Sequence, residues 1–263
     1  NATKGLPTGT LTNVLGTANN LVSVFIFDNK ARNIQTQSTN VNGSIDVTTL
    51  QYSFTGIPVV AIKKHANGNN QMYVVVTTTE LDILQRPLNI KKQITATING
   101  QTKTLPETTI LTNEYDALGK LKTKKFGGAT SHLGDGGKLQ YDYNIQGWLL
   151  GINRNYLGTA NNTGYFGMEL NYDKNPSFGG TNSGFQYNGN IASTVWKSKT
   201  DQQNRRYNFT YDNTNRLLTA NFNQYYASNS TWNSSINFSV KMGNGTDPTT
   251  AYDPNGNILA MTQ

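Results

Sequence analysis

Tyr115-Asp116-Ala117-Leu118-Gly119-Lys120-Leu121 is the stretch on which the fold turns. An aromatic ends a strand and lays its ring on the sheet. The Asp that follows accepts hydrogen bonds from backbone N–H groups just ahead of it, an Asx-turn. Three residues on, Gly supplies the left-handed backbone that closes a four-residue hairpin loop with a bulge. A basic residue and then an aliphatic one start the returning strand. The stretch therefore predicts one β-hairpin.

Working outward, the pattern recurs. Tyr211-Asp212-Asn213-Thr214-Asn215-Arg216-Leu217 repeats it with Asn215 in the glycine position. Tyr252-Asp253-Pro254-Asn255-Gly256-Asn257-Ile258 repeats it with Asn257 in the basic position. Phe27-Asp28-Asn29-Lys30-Ala31-Arg32-Asn33 keeps the aromatic, the Asp and the Arg. Tyr143-Asn144-Ile145-Gln146-Gly147-Trp148-Leu149 keeps the frame with Asn for Asp. Leu81-Asp82-Ile83-Leu84-Gln85-Arg86-Pro87 reads as eroded, and Tyr187-Asn188-Gly189-Asn190-Ile191 as shortened. A lone hairpin is marginal in water, so these units must pair side by side. Their spacing is uneven, from 24 residues between Asn188 and Asp212 to 54 between Asp28 and Asp82. A coil solenoid tolerates that poorly, whereas an antiparallel sheet absorbs insertions at its hairpin tips. Asn42-Gly43, Asn67-Gly68, Asn99-Gly100, Gly179-Gly180 and Gly243-Asn244-Gly245 mark further turns. Alternating strands such as Gln93 to Ile98 lie between them. The expected fold is all-β, one continuous antiparallel sheet over residues 1–263 with a divergent part at 1–110.

Composition agrees. Apolar residues make up 35% and charged residues 14%, a balance that would suggest disorder were it not for 14 Tyr, 10 Phe and 3 Trp. With no Cys, neither disulfides nor thiolate metal sites can form. The net charge of +7 is spread out. Its densest run, Lys120 to Lys125, alternates so that Lys120, Lys122 and Lys124 share a strand face, read as solvated rather than as a nucleic-acid contact. No apolar run is long enough to span a membrane and no signal peptide is visible. The start at Asn1 and the stop at Gln263 read as a segment of a longer chain.

These copies, with Gly147-Trp148-Leu149-Leu150-Gly151-Ile152-Asn153 and Gly5-Leu6-Pro7-Thr8-Gly9, resemble the Rhs/YD-repeat family, especially Bacteroidetes-type surface or toxin-shell proteins. The resemblance implies a curved sheet forming part of a hollow, secreted or cell-surface shell. Its partners would be the remaining repeats, a C-terminal cargo of the parent polypeptide and a secretion machinery. Family shells often end in an autoproteolytic segment. Asp253-Pro254-Asn255-Gly256 has part of its form but lacks the apolar residue that should follow, so it is read as another hairpin.

Catalysis finds no foothold. His65 and His132 are the two histidines, and both are read as loop residues. Ser131, His132 and Asp135 on one loop cannot line up as nucleophile, base and orienter. Gly127-Gly128 and Gly134 to Gly137 lack the strand–loop–helix setting of a phosphate cradle. No carboxylate pair stands out; Asp135 and Asp173 are isolated, and Glu169 alternates with Met168 and Leu170 on a strand. No enzyme activity, metal or cofactor is expected. The second reading is a carbohydrate-binding or adhesin module, with glycans stacking on Trp148, Tyr165, Phe166, Trp196, Tyr225, Tyr226 and Trp232. The competing account of those rings is cross-strand packing.

Overall fold

The computed structural model describes residues 4–68, 70–127, 137–158, 164–182, 184–226 and 230–263. It is all-β and antiparallel: of the described residues, 52% lie in strands and 4% in helix. Contacts divide the chain into two compact units, residues 1–114 with 125–131 and residues 115–124 with 132–263.

The first unit runs through β1 (Gly9–Asn13), β2 (Asn20–Phe27), β3 (Asn33–Thr39), β4 (Ile45–Tyr52), β5 (Pro58–Ala66), β6 (Met72–Leu81), β7 (Pro87–Ile98), β8 (Gln101–Thr104) and β9 (Thr108–Tyr115), whose last residue crosses the boundary. Each strand from β1 to β8 pairs antiparallel with the next, and β7 also pairs with β9. The reason is local: Val, Ile and Thr fill the strands, and every connection is a short turn. Among the described residues of this unit only Asn113 is buried. Both faces of β3 and β6 are half-buried along their whole length. This is a single sheet layer without a core of its own.

The second unit holds the core. After β10 (Leu121–Phe126), which straddles the boundary, come β11 (Lys138–Tyr143), β12 (Leu149–Ile152), the one-turn α1 (Asn155–Gly158), β13 (Phe166–Asn171), β14 (Ser193–Ser198), β15 (Arg205–Tyr211) and β16 (Leu217–Tyr226). Then follow β17 (Thr231–Asn233), β18 (Val240–Met242), the one-turn α2 (Pro248–Ala251) and β19 (Met261–Thr262). Strands β11 to β16 pair in sequence, β17 and β18 both pair with β16, and β19 pairs with β18. Alternation sets the two faces of β14. Val195 and Lys197 are buried on the face that α1 covers, Lys197 lying over the Tyr156 ring, while Trp196 turns to the other face and meets Tyr207 and Phe222. Phe238 closes that aromatic cluster edge-on to Phe222.

Candidate functional site

The turns are the recurrent feature. At Asp28, Asn40, Ser53, Asp82, Asp116, Asn144, Asp212 and Asp253 the same two backbone bonds form. The N–H of residue i donates to the carbonyl of i+4, and the N–H of i+3 donates to the carbonyl of i, all at 2.8–3.2 Å. That is a three-residue loop, a type I turn closed by a left-handed residue, rather than the four-residue loop expected from sequence. Residue i+3 has positive φ in every copy: Ala31, Gly43, Gly56, Gln85, Gly119, Gly147, Asn215 and Gly256. The bulge then falls where the strands resume, so Phe27 opposes Asn33, Tyr143 opposes Leu149 and Tyr211 opposes Leu217.

The side chain of residue i locks each loop. Oδ1 of Asp28, Asp82, Asp116, Asp212 and Asp253 accepts from the N–H groups of both i+2 and i+4. Where i+4 is Arg, its Nε donates to the second carboxylate oxygen: Arg32 to Asp28 at 2.7 Å, Arg86 to Asp82 at 2.6 Å and Arg216 to Asp212 at 2.7 Å. Asn257 does the same to Asp253 through Nδ2. Burial of the Asp212 carboxylate works to raise its pKa, but the Arg216 N–H and guanidinium, with Thr214, outweigh it and hold the group down at about 2. Asp28 and Asp82 are lowered by the same balance. The Leu81 copy, eroded in sequence, is geometrically complete. The shortened copy is not a hairpin: Asn190 N–H reaches Asn188 Oδ1, but the segment lies in the long connection between β13 and β14.

Successive turns are coupled by a second rule. The side chain at i+4 lies over the aromatic ring that precedes a later turn: Arg32 over Tyr52 at 4.7 Å, Lys120 over Tyr143 at 5.2 Å, Arg216 over Tyr252 at 4.7 Å. In the Asn144 copy Trp148 takes the place of the base and packs on Tyr172 at 5.1 Å. That tyrosine's hydroxyl then donates back to the carbonyl of i+5: Tyr52 to Asn33, Tyr143 to Leu121, Tyr172 to Leu149 and Tyr252 to Leu217, at 2.6–3.1 Å. Tyr211 bonds Ile191 in the same manner.

Lys120 is thus drawn out of the solvated row expected of it. The bulge points it inward, where Nζ donates to the Gly147 carbonyl at 3.1 Å. A Cβ on Gly147 would meet that Nζ at 2.5 Å. Of the motif residues named from sequence, the fold brings together Lys120, Tyr143 and Gly147, and likewise Arg216 and Tyr252. Asp116 shares its turn with Lys120, and Asp28 shares its own with Arg32 in the first unit, so the motif residues are distributed over separate turns rather than gathered in one cleft.

Sequence reasoning missed three features. Tyr52-Ser53-Phe54-Thr55-Gly56 is a full copy with a hydroxyl for the carboxylate, Ile57 N–H donating to Ser53 Oγ at 3.1 Å. Its signal was the aromatic followed, at i+3 from a small acceptor, by glycine. Tyr172-Asp173 supplies the ring of a ladder step. Glu169 is 2% exposed, its carboxylate held by Arg154 Nη2 at 2.5 Å and by the N–H and Oγ of Ser177 at 2.9 and 2.8 Å. Four rings of the aromatic platform weighed as the second reading make packing contacts instead: Trp148 with Tyr172, Trp196 with Tyr207, and Tyr225 and Trp232 with each other and with Phe178. His65 lies on β5 with Nδ1 2.9 Å from Asp46 Oδ1, not in a loop. His132, Ser131 and Asp135 lie outside the described residues, as do Gly128 and Gly134 to Gly136.

No family model matches the chain and no curated protein matches it. Among solved structures, a porin-like protein from Bacteroides uniformis ATCC 8492 is similar over 86% of this chain and 92% of that one. It is 11% identical with a TM-score of 0.20, and at that score it carries no argument.

Proposed function

We propose that the chain is a scaffold: a wall segment of an Rhs/YD-repeat shell, secreted or displayed at the cell surface, that encloses or presents an effector domain of the parent polypeptide. The observation that carries the reading is the coupling of one turn to a later one, from Asp28 to Ser53, from Asp116 to Asn144 and from Asp212 to Asp253. A ring and a hydroxyl recur at these steps, with a base over the ring at Arg32, Lys120 and Arg216 and Trp148 in its place after Asn144, and each step joins groups from two separate segments of the sheet. Such a device fixes the relative position of hairpins and does nothing to a substrate. The coreless first unit supports the same reading. A single sheet layer with two half-buried faces suits a wall between two compartments better than a free-standing domain, which buries one face.

Electron microscopy of the purified parent polypeptide tests this. A hollow sheet-walled shell with enclosed density, and a cargo that resists protease until the wall is opened, is the expected result. A particle with no enclosed volume, or a cargo digested as fast as the same domain expressed alone, would overturn it.

A further inference from the structure

The turns at Asp28, Ser53 and Asp82 close the β2–β3, β4–β5 and β6–β7 hairpins at one end of the first unit. From the tips of the latter two project Phe54, Ile83 and Leu84, which are 93%, 95% and 67% exposed. We propose that this end docks on the surface of a lipid bilayer bearing anionic headgroups. Nothing in this inference rests on the scaffold reading, and its test leaves that reading untouched.

The tips act as a set. Lys30 Nζ lies 5.3 Å from the centroid of the Phe54 ring, and Thr55 Oγ1 donates to Gln85 Oε1 at 2.9 Å, so each turn touches the next. Turns two strands apart stand about 10 Å from one another, so the three span about 20 Å.

Their loops are suited to leaving water. At a membrane an unbonded backbone group is costly. In the Asp82 turn the N–H groups of Asp82, Leu84, Gln85 and Arg86 are all bonded within the loop, and in the Ser53 turn so are those of Ser53, Gly56 and Ile57. Arg32 and Arg86 match the charges of Asp28 and Asp82, each at 2.6 Å. These loops therefore hold no unpaired carboxylate to repel a headgroup phosphate. Lys30 is exposed and makes no ion pair among the described residues. Its stem can lie on the Phe54 ring while its ammonium stays at headgroup level. The geometry fits a fluid partner as well. Each apolar side chain stands on its own turn, and a bilayer interface admits such points without a pocket shaped for each. Leu15 and Val41 are exposed at the opposite end of the strands, where the neighbouring tips are Asn67-Gly68 and Asn99-Gly100, and they supply the control.

The test is flotation of the 263-residue chain with vesicles of phosphatidylcholine and phosphatidylglycerol in equal parts, and of phosphatidylcholine alone. The mixed vesicles should bind it saturably, with a component that survives high salt. Phe54→Ser and Ile83→Ser should each weaken that component by about tenfold or more, the effect of withholding one large apolar side chain. Lys30→Gln should weaken binding to the mixed vesicles by about fivefold and leave the phosphatidylcholine arm unchanged. Val41→Ser should change neither. All four side chains are exposed, so circular dichroism should show the same β signal in every variant. Because the chain has no Cys, an environment-sensitive dye on Leu84→Cys reports that tip alone. Its emission should shift to the blue on the mixed vesicles, and that of a dye on Val41→Cys should not. Absence of binding, binding wholly abolished by salt, losses as large from Val41→Ser as from Phe54→Ser, or a Leu84 dye that stays in water would each overturn the proposal.

Discussion

Replacing Asp212 by Ala removes four hydrogen bonds at one turn. Oδ1 accepts from Thr214 N–H, Thr214 Oγ1 and Arg216 N–H, each at 2.9 Å, and Oδ2 accepts from Arg216 Nε at 2.7 Å. Loss of the local acceptor resembles loss of a helix N-cap, about 1 kcal/mol. Loss of the charge-assisted bond to Arg216 adds about 1.5 kcal/mol, because the Asp212 side chain is only 4% exposed. The expected destabilisation of the second unit is about 2–3 kcal/mol, a fall in its midpoint of roughly 5–10 °C. Asp212→Asn keeps the Oδ1 bonds and forfeits the ion pair, so it should cost about 1 kcal/mol. The assay is tryptophan fluorescence during thermal or urea unfolding, since Trp148, Trp196 and Trp232 all lie in the second unit. Acid adds an internal check. The folded pKa of about 2 lies below the ordinary 3.8, so the carboxylate's contribution is fully present above 3.8 and disappears as pH falls through 2. The gap between wild type and Asp212→Asn should therefore close over that window. Destabilisation of Asp212→Ala by less than about 0.5 kcal/mol, the ordinary spread for surface changes, would refute the reasoning. So would Asn costing as much as Ala.

Gly119 has φ +84°, so Gly119→Val should destabilise by about 1–3 kcal/mol in a urea titration. Ala31 occupies the same left-handed position at φ 60°, so Ala31→Gly should instead be neutral or stabilising by up to about 1 kcal/mol, read by circular dichroism because the first unit has no Trp. Glu169→Ala strands Arg154 beside a vacated site and should cost about 3–5 kcal/mol in chemical denaturation, whereas Glu169→Gln, which can still accept from Ser177, should cost less. Tyr52→Phe removes only the hydroxyl that donates to Asn33 at 2.7 Å and should cost about 1 kcal/mol by the same measurement.

Local chemistry was the legible part of this fold. An aromatic, an Asp, a glycine three residues on and a base predict a hairpin because each residue acts within its own loop. Where the acceptor changed but the chemistry did not, as at Ser53, a search keyed to Asp passed over a complete turn. With Ser53 counted, the gap of 54 residues between Asp28 and Asp82 divides into 25 and 29. Glutamine at Gln85 and proline at Pro87 disguised the Leu81 copy, although the Asp82–Arg86 pair that holds it was in view. What the sequence hid was everything between copies. The contact of Arg216 with Tyr252 spans 36 residues and depends on the register of strands that bring the two turns together. The Glu169–Arg154 pair escaped for the same reason. A lone acid alternating with Met168 and Leu170 shows nothing of the strap carrying Ser177 that folds back over it.

The ladder between turns is the core of this account, and a double-mutant cycle on Arg216→Met and Tyr252→Leu tests it most directly. Arg216 lies 4.7 Å from the Tyr252 ring centroid, and the tyrosine hydroxyl donates at 2.6 Å to the carbonyl of Leu217 beside it. If successive hairpins are joined at this step, the two substitutions will show a coupling energy of about 0.5–2 kcal/mol in the fluorescence-detected transition of the second unit. Additive effects, with coupling indistinguishable from zero while each single variant still destabilises, would mean that the turns stand independently, and the scaffold argument built on them would fail.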